Sequence, residues 1–457
     1  MRITMLSAFF LGILTCIGTE KRPNVIIIFT DDQGSVDLNC YGSTDLTTPH
    51  MDSLAKKGVR FTQFYAAAPV CSPSRAGLLT GRHPVRAGMP SNAGSIKGRA
   101  GLAPEEVTIA ETFKAAGYVT AHIGKWHLGH LKKYMPLNHG FDFFYGIPYS
   151  NDMRPESKWD YARENFPPLP FLDGFDTLGV SLDQSNFIKM FTKKSIEFIH
   201  KNKNQPFFLY LAHTAPHTPL MLSEENKGLS ARGSYGDVVE EIDRSVGEIL
   251  NTLKKLNIAQ NTLVLFTSDN GPWGWANIDG GSSGLLKGNK GSVYEGGYRV
   301  PAVAWMPKSI PRVTSTALAT TLDLFPTILS QVDKDFEFKS IDGFDITKTL
   351  FENSPVRTDV HFYRQDTLIA LRHKEWKLFI KDPNPWDDGP KQKDMPLLYN
   401  IEHDPSEKYD LAKDNPEIVQ KLNILCQDHI NSTYKAPSKY EAILPAYQSA
   451  YDENNKK

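Results

Sequence analysis

Two stretches limit the folds open to this chain more than any others. Val25-Ile26-Ile27-Ile28-Phe29-Thr30 and Thr262-Leu263-Val264-Leu265-Phe266-Thr267-Ser268 are solid apolar or β-branched runs. A strand with one wet face alternates polar and apolar residues, whereas a strand covered on both faces does not. Both runs therefore belong inside a mostly parallel sheet. The segments between them supply the cover. Pro49–Lys57 reads as a helix closed by Gly58, and Thr108-Ile109-Ala110-Glu111 has the form of a capping box whose helix ends at Gly117. Residues 118–123 read as a strand, 186–201 as a helix and 206–212 as a strand. Val238, Ile242, Val246, Ile249, Leu253 and Leu256 recur every three or four positions, as on one face of a long helix.

This alternation, with no internal repeat, predicts an α/β fold: a large mostly parallel sheet sandwiched by helices. From about His361 the texture changes. Short runs at 368–371, 376–380 and 397–401 predict a small antiparallel sheet, with a helix over 416–429 packed on it. The expected organisation is a catalytic domain over 22–355 and a smaller C-terminal α+β subdomain over 356–457. Residues 381–396, rich in Pro, Asp, Lys and Gly, read as an exposed loop.

The charge balance excludes one class of partner. With 51 Lys+Arg against 52 Asp+Glu, nothing attracts nucleic acid. The first 18 residues combine a basic start, a short apolar centre and small residues, as a secretory signal peptide does. They are too short to span a bilayer comfortably, and no other segment has the length or apolarity. A secreted or periplasmic protein is expected. The alternative is a lipid anchor on Cys16, although Thr15 is a poor neighbour for one. Removal of the signal leaves Cys40, Cys71 and Cys426, too few for a disulfide scaffold. A Cys40–Cys426 pair would leave Cys71 alone.

The ends of the strands carry the chemistry. The first run stops in Asp31-Asp32 and the later one in Asp269-Asn270. In open α/β sheets ligands bind at the carboxyl ends of strands. If the two runs are neighbours, all four groups meet at one edge, where clustered carboxylates call for a cation. Oxygen-only donors favour Ca²⁺ or Mg²⁺. Lys125 and His127 follow a strand, His217 sits between two prolines, and Lys290 lies in Gly288-Asn289-Lys290-Gly291. His213, at a strand end, reads as structural. Cys71-Ser72-Pro73-Ser74-Arg75 precedes Leu79-Thr80-Gly81-Arg82, with a helix expected to open at Pro73. Cys71 would then sit just before a helix N-terminus, which favours an anion, and Arg75 adds a positive charge one turn on.

These motifs, together with Tyr294-Glu295-Gly296-Gly297-Tyr298-Arg299-Val300-Pro301 and a C-terminal echo in Pro396-Leu397-Leu398-Tyr399-Asn400, resemble a type I sulfatase. The likeness is to the arylsulfatase A and N-acetylgalactosamine-6-sulfatase branch of the alkaline phosphatase superfamily. The resemblance implies that a sulfatase-maturing enzyme oxidises Cys71 to Cα-formylglycine. It implies a Ca²⁺ held by Asp31, Asp32, Asp269, Asn270 and residue 71. It assigns Arg75 to the formylglycine hydrate, Lys125, His217 and Lys290 to the sulfate oxygens, and His127 to a place beside the hydrate. A sulfated carbohydrate is the expected substrate. Asn151, Asp152, Trp273, Trp275 and the loop 381–396 are the candidates for sugar contacts. Two rival readings stand: a phosphatase or phosphodiesterase on the same fold, and a silent glycan-binding protein if Cys71 stays unoxidised.

Overall fold

The computed structural model describes residues 22–93, 101–158, 160–332, 340–384 and 394–437. Its largest sheet has ten strands, and five contiguous ones form a parallel centre: Thr262–Ser268, Asn24–Thr30, Phe207–Ala212, Val119–Lys125 and Phe143–Ile147. The two solid apolar runs are neighbours, in register from Asn24 opposite Thr262 to Thr30 opposite Ser268. Antiparallel strands extend the sheet on both sides, among them Ala302–Trp305 and Pro170–Asp173.

The first strand shows why its sequence has no alternation. Val25, Ile27 and Phe29 enter one core, against Leu78 and Leu79 of the helix Cys71–Thr80 and Phe113 of Ile109–Ala115. Ile26 and Ile28 enter the other, against Leu54 of Pro49–Lys57 and Val246 of Gly233–Lys255. Both faces are dry, so both parities of residue must be apolar.

A second sheet of four antiparallel strands runs Asp359–Arg364, Thr367–His373, Trp376–Phe379 and Leu397–Asn400. The helix Pro416–Ser432 covers one face, burying Leu422 against Leu378 and Leu398. Phe362, Ile369 and Phe379 from the other face pack on Tyr65, Val293 and Tyr298 of the larger unit.

Several expectations change in detail. The helix expected to open at Pro73 begins at Cys71, with Val70 as its N-cap, so Cys71 lies in the first turn. The strand expected over 118–123 runs on to Lys125, because Gly124 and Lys125 keep pairing with Gly146 and Ile147. The capping box forms as read: Thr108 Oγ1 accepts from the Glu111 amide and the Glu111 carboxylate accepts from the Thr108 amide. Cys40 and Cys426 are both free thiols. They sit in different clusters, Cys40 beside the second core and Cys426 among Val85, Tyr363 and Leu371, so no disulfide joins them. Residues 1–18, with Cys16, and residues 385–393 of the predicted loop lie outside the described residues. Among the described residues no helix is long and apolar enough to cross a membrane.

Candidate functional site

Each of the five parallel strands delivers polar groups at its carboxyl end. Asp31 and Asp32 follow Asn24–Thr30, Asp269 and Asn270 follow Thr262–Ser268, and His217 follows Phe207–Ala212. Lys125 and His127 end Val119–Lys125, and Ser150 to Asp152 follow Phe143–Ile147. The first turn of the helix Cys71–Thr80 meets them there. Asp32 and His127 both have positive φ, 66° and 59°. Non-glycine residues seldom take that conformation, and such strain gathers at functional sites.

The groups form a dense ionic cluster. Asp31 Oδ2 lies 2.5 Å from Lys125 Nζ and 3.2 Å from Arg75 Nη2, and Asp31 Oδ1 is 3.5 Å from Cys71 Sγ. Arg75 also donates to Asp269 Oδ2 through Nε at 3.2 Å and Nη2 at 2.8 Å. Asp32 pairs with Lys290 at 2.8 Å, accepts from Asn270 Nδ2 at 2.6 Å and faces His217 Nε2 at 3.5 Å. Lys125 Nζ reaches Ser150 Oγ at 3.1 Å. Three cationic side chains offset the self-repulsion of the three carboxylates only in part, since the charge of Asp31 still raises Asp269, and the expectation of a cation stands.

A second argument concerns donors. Asn270 Oδ1 is buried with no hydrogen-bond partner, beside the carboxylates of Asp31, Asp32 and Asp269. Asp31, Asp32, Cys71 and His217 can each offer a ligand atom, all within 4.8 Å of one another. A mainly oxygen donor set with one idle amide oxygen fits a hard divalent cation.

Burial governs the protonation states. It would raise Asp31, but Lys125 and Arg75 outweigh it and hold that carboxyl well below the usual range. Burial and then the charge of Asp31 push Asp269 up to about 7. Burial, then Asp31, push the Cys71 thiol far above its ordinary value, so an unmodified Cys71 stays protonated. Burial and the neighbouring Lys125 drive His127 well below its normal range; burial and Lys290 lower His217. Both ring nitrogens of His127 lack partners, while His217 Nδ1 is 2.5 Å from the Thr218 carbonyl, leaving Nε2 as its working atom.

Cys71, His127, His217 and Lys290 line a cavity of about 550 Å³. Of the four residues expected to touch a sugar, three line it too. Trp273 lies 5.0 Å from the His217 ring and 4.8 Å from Lys290 Nζ, between ring centroids and from the centroid respectively. Trp275 is 65% exposed at the rim. Asp152 is buried with Oδ1 unpartnered. Asn151 departs from the expectation: its carbonyl and Nδ2 engage Gln184, and it lines a small separate cavity behind the wall.

Sequence reasoning missed Ser150 and the hairpin tip Tyr363-Arg364-Gln365, which reaches the cavity from the small sheet. A signal for the hairpin existed, since two turn residues, Gln365 and Asp366, separate two strands there. Arg364 donates to the carbonyls of Asp382 and Pro383, so it also anchors the start of the 381–396 segment.

Comparison with known proteins identifies the family. Residues 23–334 match the family model described as Sulfatase, and residues 355–453 match the C-terminal region of aryl-sulfatase. The chain is 33% identical over 490 residues to N-acetylgalactosamine-6-sulfatase of Sus scrofa, covering 97% of this chain and 92% of that protein. It is 35% identical to human arylsulfatase A over 459 residues, covering 92% and 90%. The PsFucS1 sulfatase structure from Pseudoalteromonas sp. superposes with a TM-score of 0.83 at 27% identity, covering 92% of each chain.

Proposed function

This chain belongs to the sulfatase family and is a sulfuric ester hydrolase; on that premise we propose that it removes O-sulfate from a glycan through a formylglycine at position 71 and a Ca²⁺ beside it. The observation that carries the reading is the meeting of Cys71 with three carboxylates and three cationic side chains in one ionic cluster, which opens to a cavity through Cys71 and Lys290. The buried, protonated thiol supports it as well, because a thiol held that way is a poor nucleophile and gains by conversion.

Asp31, Asp32, Asp269 and Asn270 would hold the metal, which supplies positive charge to the sulfate oxygens when bound. The hydrate of the modified residue supplies one hydroxyl to attack sulfur and a second to release it. The remaining work belongs to the chain. Lys125 and Lys290 grip the sulfate oxygens, and they enter the site already charged. Arg75 orients the first turn of the helix Cys71–Thr80 against Asp31 and Asp269 and stabilises developing negative charge at position 71. Lys290 Nζ, or His217 Nε2 in the protonated ring that the facing Asp32 carboxylate favours, gives a proton to the departing sugar oxygen. His127, neutral and without partners, takes the proton from the second hydroxyl. Trp273, Trp275 and Asp152 bind the sugar.

The N-acetylgalactosamine-6-sulfatase relative supports a galactosamine or galactose 6-sulfate as substrate. We assign residues 22–355 to catalysis and 356–457 to a subdomain that completes the cavity rim. A signal over 1–18 would deliver the protein outside the cytoplasm, where a sulfated carbohydrate is met, after a maturing enzyme has acted on Cys71.

The test is the mass of the peptide carrying residue 71, measured with turnover of a sulfated and a phosphorylated sugar. The expected peptide has lost one sulfur and two hydrogens and gained one oxygen. Sulfate release should need that form and vanish in Cys71→Ala. An unconverted peptide in a fully active sample, or faster release of phosphate than of sulfate, would overturn the reading.

A further inference from the structure

Behind the cavity wall, three histidines from three distant parts of the chain meet. His83 follows the helix Cys71–Thr80, His361 lies on the strand Asp359–Arg364, and His429 is in the last turn of Pro416–Ser432. The rings of His361 and His429 stack with centroids 3.6 Å apart, and His83 meets both edge-on at 5.2 Å. Each can present one nitrogen within 4.8 Å of the other two. Nothing in the sulfatase chemistry above uses them.

Their environment is that of ligands more than of packing. His83 is buried and the other two are half-buried, yet Nδ1 of His83 and Nδ1 of His361 have no hydrogen-bond partner. A buried imidazole nitrogen without a partner is costly, and a leucine or phenylalanine would fill the same space without that cost. Unpartnered buried ring nitrogens also occur at His122, His139 and His213, so burial alone does not mark a ligand; among the described residues only His83, His361 and His429 bring three histidines together. All three rings of the trio are kept neutral by burial, the state in which imidazole binds metal. Outer contacts fit as well. Tyr363 Oη is 2.6 Å from His429 Nε2, which fixes that ring and leaves Nδ1 as its ligand atom. The Asp342 carboxylate accepts the His83 amide at 2.7 Å and brings negative charge close by. The two nearest cations are already matched, Arg86 with Asp342 and Arg357 with Asp323.

We propose that His83, His361 and His429 form a second metal site, a structural one for Zn²⁺, which clasps the C-terminal sheet and helix to the catalytic unit. Three imidazoles with no thiolate or carboxylate among them suit zinc, and zinc–nitrogen bonds of about 2.0–2.1 Å require the three nitrogens to draw together and the stacked pair to splay. The clasp lies directly behind the hairpin whose Tyr363 lines the cavity, so the metal would also steady the rim.

The experiment uses the full chain, stripped with a chelator, refilled with Ca²⁺, and then titrated with ZnCl2 or CoCl2. Zinc should bind at one equivalent per chain in competition with a chromophoric chelator and should raise the unfolding temperature. Cobalt should give the visible ligand-field bands of a tetrahedral nitrogen site. His83→Gln and His429→Gln should each weaken zinc binding by about a hundredfold, at the upper end for loss of a metal-site contact. Both substitutions keep a polar side chain of similar size, and circular dichroism of each metal-free variant reports whether it has folded. No zinc-dependent shift in the parent, or equal affinity in parent and variants, would overturn the proposal. Zinc binding lost on Asp32→Asn but kept in His429→Gln would overturn it too, by moving the ion to the catalytic cluster.

Discussion

Two of the buried ion clusters among the described residues differ in purpose, and only one of the two is built to act. The first is the set around Asp31, Asp32 and Asp269. The second joins the small sheet to the larger unit: Lys377 Nζ is 3.1 Å from Glu295 and 2.8 Å from Glu407, Tyr65 donates to Glu295 at 2.6 Å, and Arg372 bonds Tyr65 and Gln63. Both are as dry as the hydrophobic core, and both shift their members' proton affinities. Burial of charge therefore does not mark a functional site by itself. In the second cluster each carboxylate oxygen faces a donor or a cation, Glu407 Oε1 through its ion pair with Lys377 alone and Oε2 through the Glu295 amide at 2.8 Å, and none of its members lines the cavity. In the first, Asn270 Oδ1 and both nitrogens of His127 are idle, the backbone is strained at Asp32 and His127, and a cavity of about 550 Å³ opens onto it. Unspent polar capacity distinguishes a site from a strut.

The sharpest way to break the comparison is to remove charge from each cluster in turn. Asp269→Asn keeps the side chain's shape, so it should leave the fold intact and cut sulfate-ester turnover by at least about a thousandfold, the scale of losing an electrostatic element of the reaction. A loss below tenfold would demote Asp269 to a structural ion pair like Glu295. His217→Ala should cost about a hundredfold or more on a sugar sulfate, which needs a proton for its leaving group, and far less on nitrophenyl sulfate. Equal losses on both substrates would remove His217 from proton delivery.

The strut should respond in the opposite currency. Lys377→Met leaves Glu407 without its cation and Glu295 with only Arg299 and Arg372 at 3.7 and 3.8 Å, and should lower stability by about 3–5 kcal/mol in urea unfolding. The kcat of the remaining folded enzyme should stay within a small factor; a large drop would mean that the junction also shapes the site. A gentler probe is pH. Burial first, partly offset by Lys377, raises Glu407 to about 7, above its ordinary value near 4.5. The folded protein therefore holds a proton that the unfolded chain has released. Stability should be greatest below the ordinary value and decline as pH rises to about 7, with a slope of at most about 1.4 kcal/mol per pH unit. Glu407→Gln should flatten that decline in melts taken at successive pH values, and an unchanged slope would place the titrating group elsewhere. The smallest effect is expected of Trp275, 65% exposed. Trp275→Ala should raise KM for a sulfated oligosaccharide a few-fold and leave nitrophenyl sulfate untouched; no change on either would make it a surface residue.

What the sequence determined by itself was the frame and the identity of the reacting groups. Solid apolar runs cannot be stable with one face in water, so Asn24–Thr30 and Thr262–Ser268 announced a covered parallel sheet, and the acids that end them announced its working edge. The capping box at Thr108 and the helix periodicity from Val238 were legible for the same reason: each is written within a few turns of chain. What only the tertiary structure decided were matches between residues far apart. That three cations would face three acids depends on Arg75, Lys125 and Lys290 arriving from separate elements. That Asn151 would turn to Gln184 while Asp152 faced the cavity is a choice of side-chain direction in a loop, where no periodicity dictates it. The hairpin tip at Arg364 and the trio His83, His361 and His429 exist only because the small sheet docks where it does. Local sequence sets backbone preference and polarity; long-range packing sets who meets whom, and a lone histidine in a sequence carries no record of the partners it will face.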